Sequence, residues 1–129
     1  MIRKATGSFT VKLELQPASA QAEAAGIGRR TLDKRFLGDL DAVSSGEMLA
    51  VMTGVEGSMA YVAFEKVTGL LAVRNGSFVL RHASQMIRGK PFQSIRVVPD
   101  SGTDALLGLE GEMQIEIRDG EHLYHFEYN

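Results

Sequence analysis

Residues 67–86 contain two β-type runs on either side of Asn75-Gly76, and this dipeptide imposes a tight reversal on the chain. Asn-Gly favours a two-residue type I′ turn, because both central residues of that turn need a positive φ. The turn would fix the cross-strand partners as Arg74–Ser77, Val73–Phe78, Leu71–Leu80 and Gly69–His82. Side chains alternate between the two faces of a strand, so His82 is predicted to lie on the apolar face, over the space left by Gly69. The segment therefore predicts an antiparallel hairpin with an ionisable ring among apolar side chains.

The rest of the chain also consists of short β-type runs separated by turn residues. The predicted strands outside the hairpin are residues 6–15, 30–41, 45–53, 57–66, 92–98, 112–118 and 121–128. Strands at this spacing, with no long helical pattern, indicate an antiparallel meander. About eight strands favour closure into a barrel, because an open sheet would leave two unpaired edges. The sequence thus predicts an all-β fold, a single antiparallel β-barrel of about eight strands in one domain, residues 1–129.

Three segments leave alternatives open. Residues 16–28 form either a helix of at most two turns or a loop, because an isolated helix that short is marginal. Residues 45–53 and 57–66 are apolar on both faces, so their pattern does not identify the side that faces the interior. An apolar outer face on a one-layer barrel needs something to cover it. We therefore expect a homodimer, or a higher homo-oligomer, through these two segments.

Composition narrows the class of protein. The hydrophobic and charged fractions, 44% and 23%, are ordinary for a globular domain, and no apolar run approaches the ~20 residues of a membrane-spanning helix. The net charge of −2 argues against a nucleic-acid partner. The chain has no cysteine and its first residues lack an apolar signal core, so a cytoplasmic location is the default expectation. No cofactor is indicated, since Gly26-Ile27-Gly28 is too short to cradle a phosphate and has no accompanying lysine.

A set of polar and aromatic residues is predicted to face the interior or to accompany residues that do. Its members are Lys34, Glu47, Tyr61, Glu65, His82, His122, Tyr124, Phe126 and Tyr128. In a small barrel such residues either line a pocket for one ligand or fill the core and satisfy one another. In the second case Lys34 would pair with a glutamate, either Glu47 or Glu65, and His82 with a tyrosine hydroxyl. We treat all nine as candidate ligand-binding residues.

Two other patterns favour a structural role. His122 and His125 resemble a pair of metal ligands, but residues three apart on a strand point to opposite faces, and we assign no metal site. The run Asp100-Ser101-Gly102-Thr103 matches the start of the catalytic loop of retroviral-type aspartic peptidases. Pro99 stands where that loop needs an apolar strand residue, so we interpret the run as a turn.

Six segments together carry a resemblance to a known family. They are LDKRFLGDL (32–40), SGEML (45–49), YVAFEKVTG (61–69), GSFVLRH (76–82), VVPDSGT (97–103) and DGEHLYHFEY (119–128). Through them the chain resembles the bacterial domain-of-unknown-function family 3224 from Thr6 onward. The resemblance implies a small antiparallel barrel of the allene-oxide-cyclase or lipocalin type, and it implies no established activity.

Three functions fit a barrel of this kind. The first, which we prefer, is a binding module that holds a small, mostly apolar molecule, oriented by Lys34, His82 and an aromatic wall formed by Tyr124, Phe126 and Tyr128. The second is an isomerase- or cyclase-type enzyme on the same scaffold, in which His82 and a glutamate exchange protons. The third is an interaction protein with a filled barrel that acts through its dimer face. The sequence does not decide whether the protein is an enzyme.

Overall fold

Eight antiparallel strands form a closed barrel in the computed structural model, which describes residues 1–129. The strands are β1 (Arg3–Gln16), β2 (Ile27–Gly38), β3 (Leu40–Met52), β4 (Met59–Leu71), β5 (Arg74–Ile87), β6 (Lys90–Val97), β7 (Gly111–Arg118) and β8 (Glu121–Tyr128). Each strand pairs with its neighbours in sequence, and β8 returns to pair with β1, so the sheet has no free edge. The predicted all-β barrel of eight strands is confirmed.

Two short helical segments lie outside the strands. The helix α1 (Ala20–Ala24) begins after Ser19, whose hydroxyl oxygen accepts a hydrogen bond from the Ala22 N–H at 3.1 Å. Residues 16–28 therefore contain a helix of little more than one turn within a loop. The second segment is a 3₁₀ helix (Asp104–Leu106) between β6 and β7. No helix of the protein is long and apolar enough to cross a membrane.

Apolar side chains fill one half of the barrel interior. The rings of Phe78 and Phe126 stack at 5.8 Å, and the rings of Phe36 and Tyr124 meet edge to face at 5.6 Å. Leu106 of the 3₁₀ helix belongs to the same cluster and is 1% exposed, so the segment after β6 caps this end of the barrel. The other half of the interior is not filled in this way and holds the site described below.

Two hydroxyl side chains bind the capping segment, residues 98–110 between β6 and β7, to β5. The Val79 N–H donates to Ser101 Oγ at 3.0 Å, and the Ser77 N–H donates to Thr103 Oγ1 at 3.0 Å. The Thr103 N–H donates in return to the Ser77 carbonyl oxygen at 2.9 Å. These bonds continue the β-ladder beyond the end of β6, so residues 100–103 serve as a structural turn that secures the closed end.

The pairing of β6 with β7 is the shortest in the barrel. Only two residue pairs are in register, namely Ile95–Met113 and Arg96–Glu112. Beyond them the side-chain amide of Gln93 takes the place of a backbone strand. Its Oε1 accepts from the Ile115 N–H at 2.7 Å, and its Nε2 donates to the Ile115 carbonyl oxygen at 3.3 Å. Closure of the barrel on this side therefore combines a short backbone ladder with one side-chain amide.

The turn between β4 and β5 is not where the sequence places it. The chain reverses at Ala72-Val73, and the predicted turn at Asn75-Gly76 is wrong. Ala72 supplies the positive φ, at 55°. Gly76 serves a different purpose, because a Cβ there would collide with the carbonyl oxygen of Thr103. This glycine permits the capping segment to approach β5 closely. The local sequence does not show that contact, and without it Asn-Gly has the composition of a turn.

The shifted turn changes the partners of the hairpin but not its faces. His82 lies opposite Ala63 rather than Gly69, and Gly69 lies opposite Gly76. The partner moves by an even number of residues, so the same side chains of β4 and β5 still point inward. Val73 is the exception, because it lies in the turn and is 91% exposed, whereas its predicted pairing with Phe78 puts it on the apolar face.

The structure also assigns the faces of the two strands that are apolar on both sides. In β3 the even-numbered residues face inward, so that Ser44 is buried and Val43 is exposed. In β4 the odd-numbered residues face inward, so that Glu65 is buried and Phe64 is 59% exposed. The alternative that periodicity leaves open is thereby resolved, and an apolar stripe remains on the outer surface.

Candidate ligand-binding site

The open half of the barrel contains a cavity of about 290 Å³. Its walls are mostly apolar and include side chains from β1, β4 and β7, among them Val11, Ala63 and Ile115. The polar residues that line it are Lys34, Tyr61, His82 and His122. Leu13 and Ile117, which are 50% and 67% exposed, mark the side where the cavity opens to solvent.

Three ionisable side chains from β2, β4 and β5 meet at the floor of this cavity. Lys34 Nζ donates to Glu65 Oε2 at 2.9 Å, and His82 Nε2 lies 2.5 Å from the same oxygen. Ser44 Oγ donates to the other carboxylate oxygen at 2.8 Å. The side chains of Lys34, Glu65 and His82 are 6%, 0% and 4% exposed. The floor is thus a buried carboxylate whose two oxygens both accept hydrogen bonds. A charge is held out of water at acceptable cost only when it is paired and hydrogen-bonded in this way.

The strand register explains why these side chains converge. Lys34 lies opposite Ser44 in the β2–β3 pair, so both can reach the same carboxylate. Glu65 lies opposite Gly46 in the β3–β4 pair. A Cβ on Gly46 would collide with the carbonyl oxygen of Phe64, so the two strands can approach this closely only because residue 46 has no side chain.

The cluster holds Glu65 in its ionised form. Burial by itself raises the pKa of the Glu65 carboxyl, but the hydrogen bond with His82 and the positive charge of the Lys34 ammonium outweigh it. Together they lower the pKa of Glu65 from 4.5 to about 2. An ionised carboxylate can only accept hydrogen bonds, so His82 Nε2 must carry the proton that lies between them.

The cluster leaves hydrogen-bonding capacity directed at the cavity. Lys34 donates one of its three N–H groups to Glu65 and has no second protein acceptor. His82 Nδ1 has no protein partner, yet it is not one of the two fully buried unpaired side-chain atoms, which are Arg74 Nε and Ser84 Oγ. It is therefore accessible from the cavity. Lys34 Nζ also lies 4.7 Å from the ring centroid of Phe9, a contact that helps to hold an ammonium group in an apolar wall.

The structure brings five of the nine predicted residues to the cavity. Lys34, Tyr61, His82 and His122 line it, and Glu65 lies directly beneath its floor. Of the two glutamates considered as a partner for Lys34, Glu65 is the one in contact. His82 bonds to Glu65 as well, and not to a tyrosine hydroxyl. Lys34 and His82 both face the interior, as the alternation of β2 and β5 predicts.

The other four predicted residues lie away from the cavity. Glu47 is on the outer surface, where it forms an ion pair with Arg29 at 2.5 Å. The aromatic residues from β8 (Tyr124, Phe126 and Tyr128) pack in the closed half. The Tyr124 hydroxyl accepts from the Leu40 N–H at 2.9 Å and donates to the Leu37 carbonyl oxygen at 2.8 Å, so it anchors the β2–β3 turn. The predicted aromatic wall is part of the core, because the cavity occupies only the opposite half of the interior.

Sequence reasoning missed Ser44 and the apolar wall of the cavity. Ser44 continues the inward series Leu40–Ala42, which runs on through Gly46 to Met48. That series is visible in the sequence if the run 30–41 is divided at Gly38, whose φ is 104°. Without the division β3 begins five residues late and its inner face is undefined.

No group of three or more His, Asp and Glu side chains is arranged to share a metal ion. The Lys34 ammonium occupies the position beside Glu65 where a cation would sit. His125 lies on the outer surface and contacts Glu116 at 3.2 Å, on the opposite side of β8 from His122.

The comparisons with known proteins agree with this architecture. The family described as proteins of unknown function, DUF3224, matches residues 5–128. The crystal structure of a DUF3224 protein with unknown function from Shewanella oneidensis MR-1 is similar to the barrel, with a TM-score of 0.94 and 46% sequence identity. The similarity covers 100% of this chain and 97% of that one. The comparison with curated proteins finds no match. On the agreement of sequence and fold, the chain belongs to the DUF3224 family.

Proposed function

We propose that the barrel is a binding module for one small, mostly apolar molecule, which enters at the open end and places a polar group on Lys34 and His82. The cavity is the observation that carries the proposal, because it combines apolar walls with a few convergent polar groups. Its volume of 290 Å³ corresponds to roughly ten water molecules at about 30 Å³ each. A ligand with about ten non-hydrogen atoms would displace that water from apolar surface, which is favourable.

The polar floor would give such a module its selectivity. A ligand without a polar end would leave the free N–H groups of Lys34 dehydrated and unpaired, at a cost of about 1–3 kcal/mol. The Glu65 carboxylate and Ser44 hold Lys34 and His82 in place before any ligand arrives. Little ordering of side chains is then needed on binding, and preorganisation of this kind favours affinity.

Native mass spectrometry of the freshly purified protein tests the proposal. We expect a non-covalent adduct of small mass on the wild-type protein, or uptake of octan-1-ol when that alcohol is added. The matched variant is Ala63→Leu, which extends an apolar side chain into the cavity and leaves the polar floor intact. It should stay folded and lose the adduct. A wild-type protein that carries nothing and takes up no octan-1-ol would contradict the proposal.

A second function is favoured by the 2.5 Å contact between His82 and Glu65. A carboxylate that holds Nε2–H leaves Nδ1 as a lone-pair base aimed at the cavity, the arrangement needed for proton transfer to and from a bound molecule. The enzyme would then be of isomerase or cyclase type. Incubation of the loaded protein in D₂O distinguishes the two functions. An enzyme exchanges carbon-bound hydrogen of its ligand for deuterium and His82→Gln stops the exchange, whereas a binding module leaves the ligand unlabelled.

A further inference from the structure

Two residues at the floor of the cavity, Lys34 and His82, retain hydrogen-bonding atoms that no protein group uses. Lys34 Nζ and His82 Nε2 contact the same oxygen of Glu65, at 2.9 and 2.5 Å. Both residues also line the cavity, so one ligand can meet the free N–H groups of Lys34 and the Nδ1 atom of His82, which carries a lone pair when Nε2 holds the only ring proton. A ligand that complements this pair must offer an acceptor and a proton within one small polar group.

We propose that the ligand is a carboxylic acid with an apolar tail, whose carboxyl group gives its proton to His82 and then lies as a carboxylate between His82 and Lys34. This inference rests on the function proposed above and specifies the chemistry of the molecule. The proton moves from the carboxyl oxygen to Nδ1, and no other bond is made or broken. The resulting hydrogen bonds are charge-assisted at both ends, and such bonds are roughly twice as strong as neutral ones.

Charge balance in the buried cluster supports a carboxylic acid over other polar ends. Lys34 and Glu65 cancel one another before binding, and the cluster is buried. A carboxylate arriving alone would leave one negative charge in excess, whereas a carboxylate and a proton together keep the sum at zero. An alcohol fills the same hydrogen bonds but adds no ionic attraction. An amine would bring a second ammonium against that of Lys34.

Other ionisable groups near His82 do not change this balance. The groups that face it from neighbouring strands are Glu65 on β4 and Lys34 on β2, and Tyr61 and His122 share the cavity wall. On β6 the residue opposite His82 is Ile95, which is uncharged. Glu65 is thus the only carboxylate in contact with the imidazole, and its Oε1 is already bonded to Ser44.

Isothermal titration calorimetry with three probes of matched length tests the inference. Octanoate, octan-1-ol and octan-1-amine are titrated into the wild-type protein at pH 8, in phosphate and in Tris. We expect octanoate to bind about ten- to a hundredfold more tightly than octan-1-ol, because hydrogen bonds to charged groups contribute more free energy than hydrogen bonds between neutral groups. Octan-1-amine should not bind. The buffer dependence of the enthalpy should show uptake of close to one proton per octanoate, and none for octan-1-ol.

The outcomes separate this inference from the proposed function. Equal or tighter binding of octan-1-ol, or octanoate binding without proton uptake, overturns the carboxylic-acid assignment and leaves the binding module standing. If none of the three probes binds, both are overturned. His82→Gln should abolish proton uptake, and His125→Gln, on the outer surface, should not. The comparison of the three probes on the wild-type protein decides the matter even where His82→Gln does not fold.

Discussion

Glu65 is the residue on which the interior polar cluster depends. Its carboxylate receives hydrogen bonds from Lys34, His82 and Ser44 while its own side chain is 0% exposed. We predict that Glu65→Gln destabilises the protein by about 3–5 kcal/mol, because it leaves a buried ammonium without its counter-charge. The free energy of unfolding in urea measures the loss. The matched control is Glu112→Gln, since Glu112 pairs with Arg96 in solvent and its replacement should change little. Equal losses in the two variants would contradict the account.

The same carboxylate predicts a dependence of stability on pH. The folded protein holds the pKa of Glu65 at about 2, below the ordinary 4.5, so the group stabilises the fold above about pH 4.5 and its contribution is lost as the pH falls towards 2. We therefore expect the stability difference between the wild type and Glu65→Gln to be constant at neutral pH and to shrink between pH 4.5 and 2. Urea midpoints for both proteins at each pH give that difference. Other carboxylates with lowered pKa values, such as Glu116, are common to both proteins and cancel. A difference that does not shrink in acid would contradict the prediction.

The site was predictable from the sequence only in part, and individual residues show why. Lys34 and His82 were placed correctly because each sits among apolar residues of one parity, which is a local signal. Glu47 and Glu65 could not be told apart, because β3 and β4 are apolar on both faces and a strand has no other local marker of its inner side. The sequence predicts Tyr124 in an aromatic wall beside the ligand, whereas the side chain packs in the closed half of the barrel. Its depth depends on how far each strand is displaced along its neighbours, and that is a property of the closed sheet.

At the scale of the element, the β4–β5 hairpin shows how a tertiary contact overrides turn preference. Asn75-Gly76 has the composition of a turn, and Ala72-Val73 does not, yet the chain reverses at the latter. We predict that Ala72→Gly stabilises the protein by up to about 1 kcal/mol, because it relieves an alanine held at a φ of 55°. Val73→Gly is the matched control. Its φ is not positive, so glycine there should cost stability. The unfolding temperatures of both variants show whether each substitution raises or lowers stability. Stabilisation by Val73→Gly but not by Ala72→Gly would contradict the prediction that Ala72 is the strained residue.

Elements with strong local signals were predicted well. Asp119-Gly120, the two residues between the predicted strands 112–118 and 121–128, form the turn between β7 and β8 with positive φ at both positions. The alternation over residues 30–41 predicts one strand, whereas the structure ends β2 at Gly38 and begins β3 at Leu40. A glycine within an alternating run does not reveal whether it bends a strand or ends it. In this case the Tyr124 hydroxyl fixes the answer by bonding to the backbone on both sides of the turn.

At the scale of the whole molecule, the outer face of β3 and β4 carries exposed apolar side chains. Phe64 and Val62 are 59% and 53% exposed, and Leu49 lies opposite Val62. Phe64 has Glu47 opposite it on one side and Arg81 on the other. A two-fold axis near Phe64 would bring Arg81 of one copy towards Glu47 of the second, so the face is complementary to itself. We propose that a second copy of this chain covers it.

Light scattering coupled to size-exclusion chromatography tests this assembly at micromolar concentration. We expect the mass of a dimer for the wild type and of a monomer for Phe64→Lys, which would set two ammonium groups against each other at the axis. Leu107→Lys is the control, because Leu107 is 80% exposed on the capping segment and lies outside this face. A monomeric wild type would contradict the proposal.

In the binding module that we propose, the interior of the open half, and not the outer surface, receives the ligand. Methyl NMR on protein labelled at Met and Ile tests it most directly, with octanoate or octan-1-ol as the added molecule. Met48, Met59, Ile115 and Ile117 line the cavity, while Met52 lies outside and is 75% exposed. We expect saturable shifts at the four cavity residues and none at Met52. Shifts confined to outer-surface methyls, or no shifts with either probe, would contradict it.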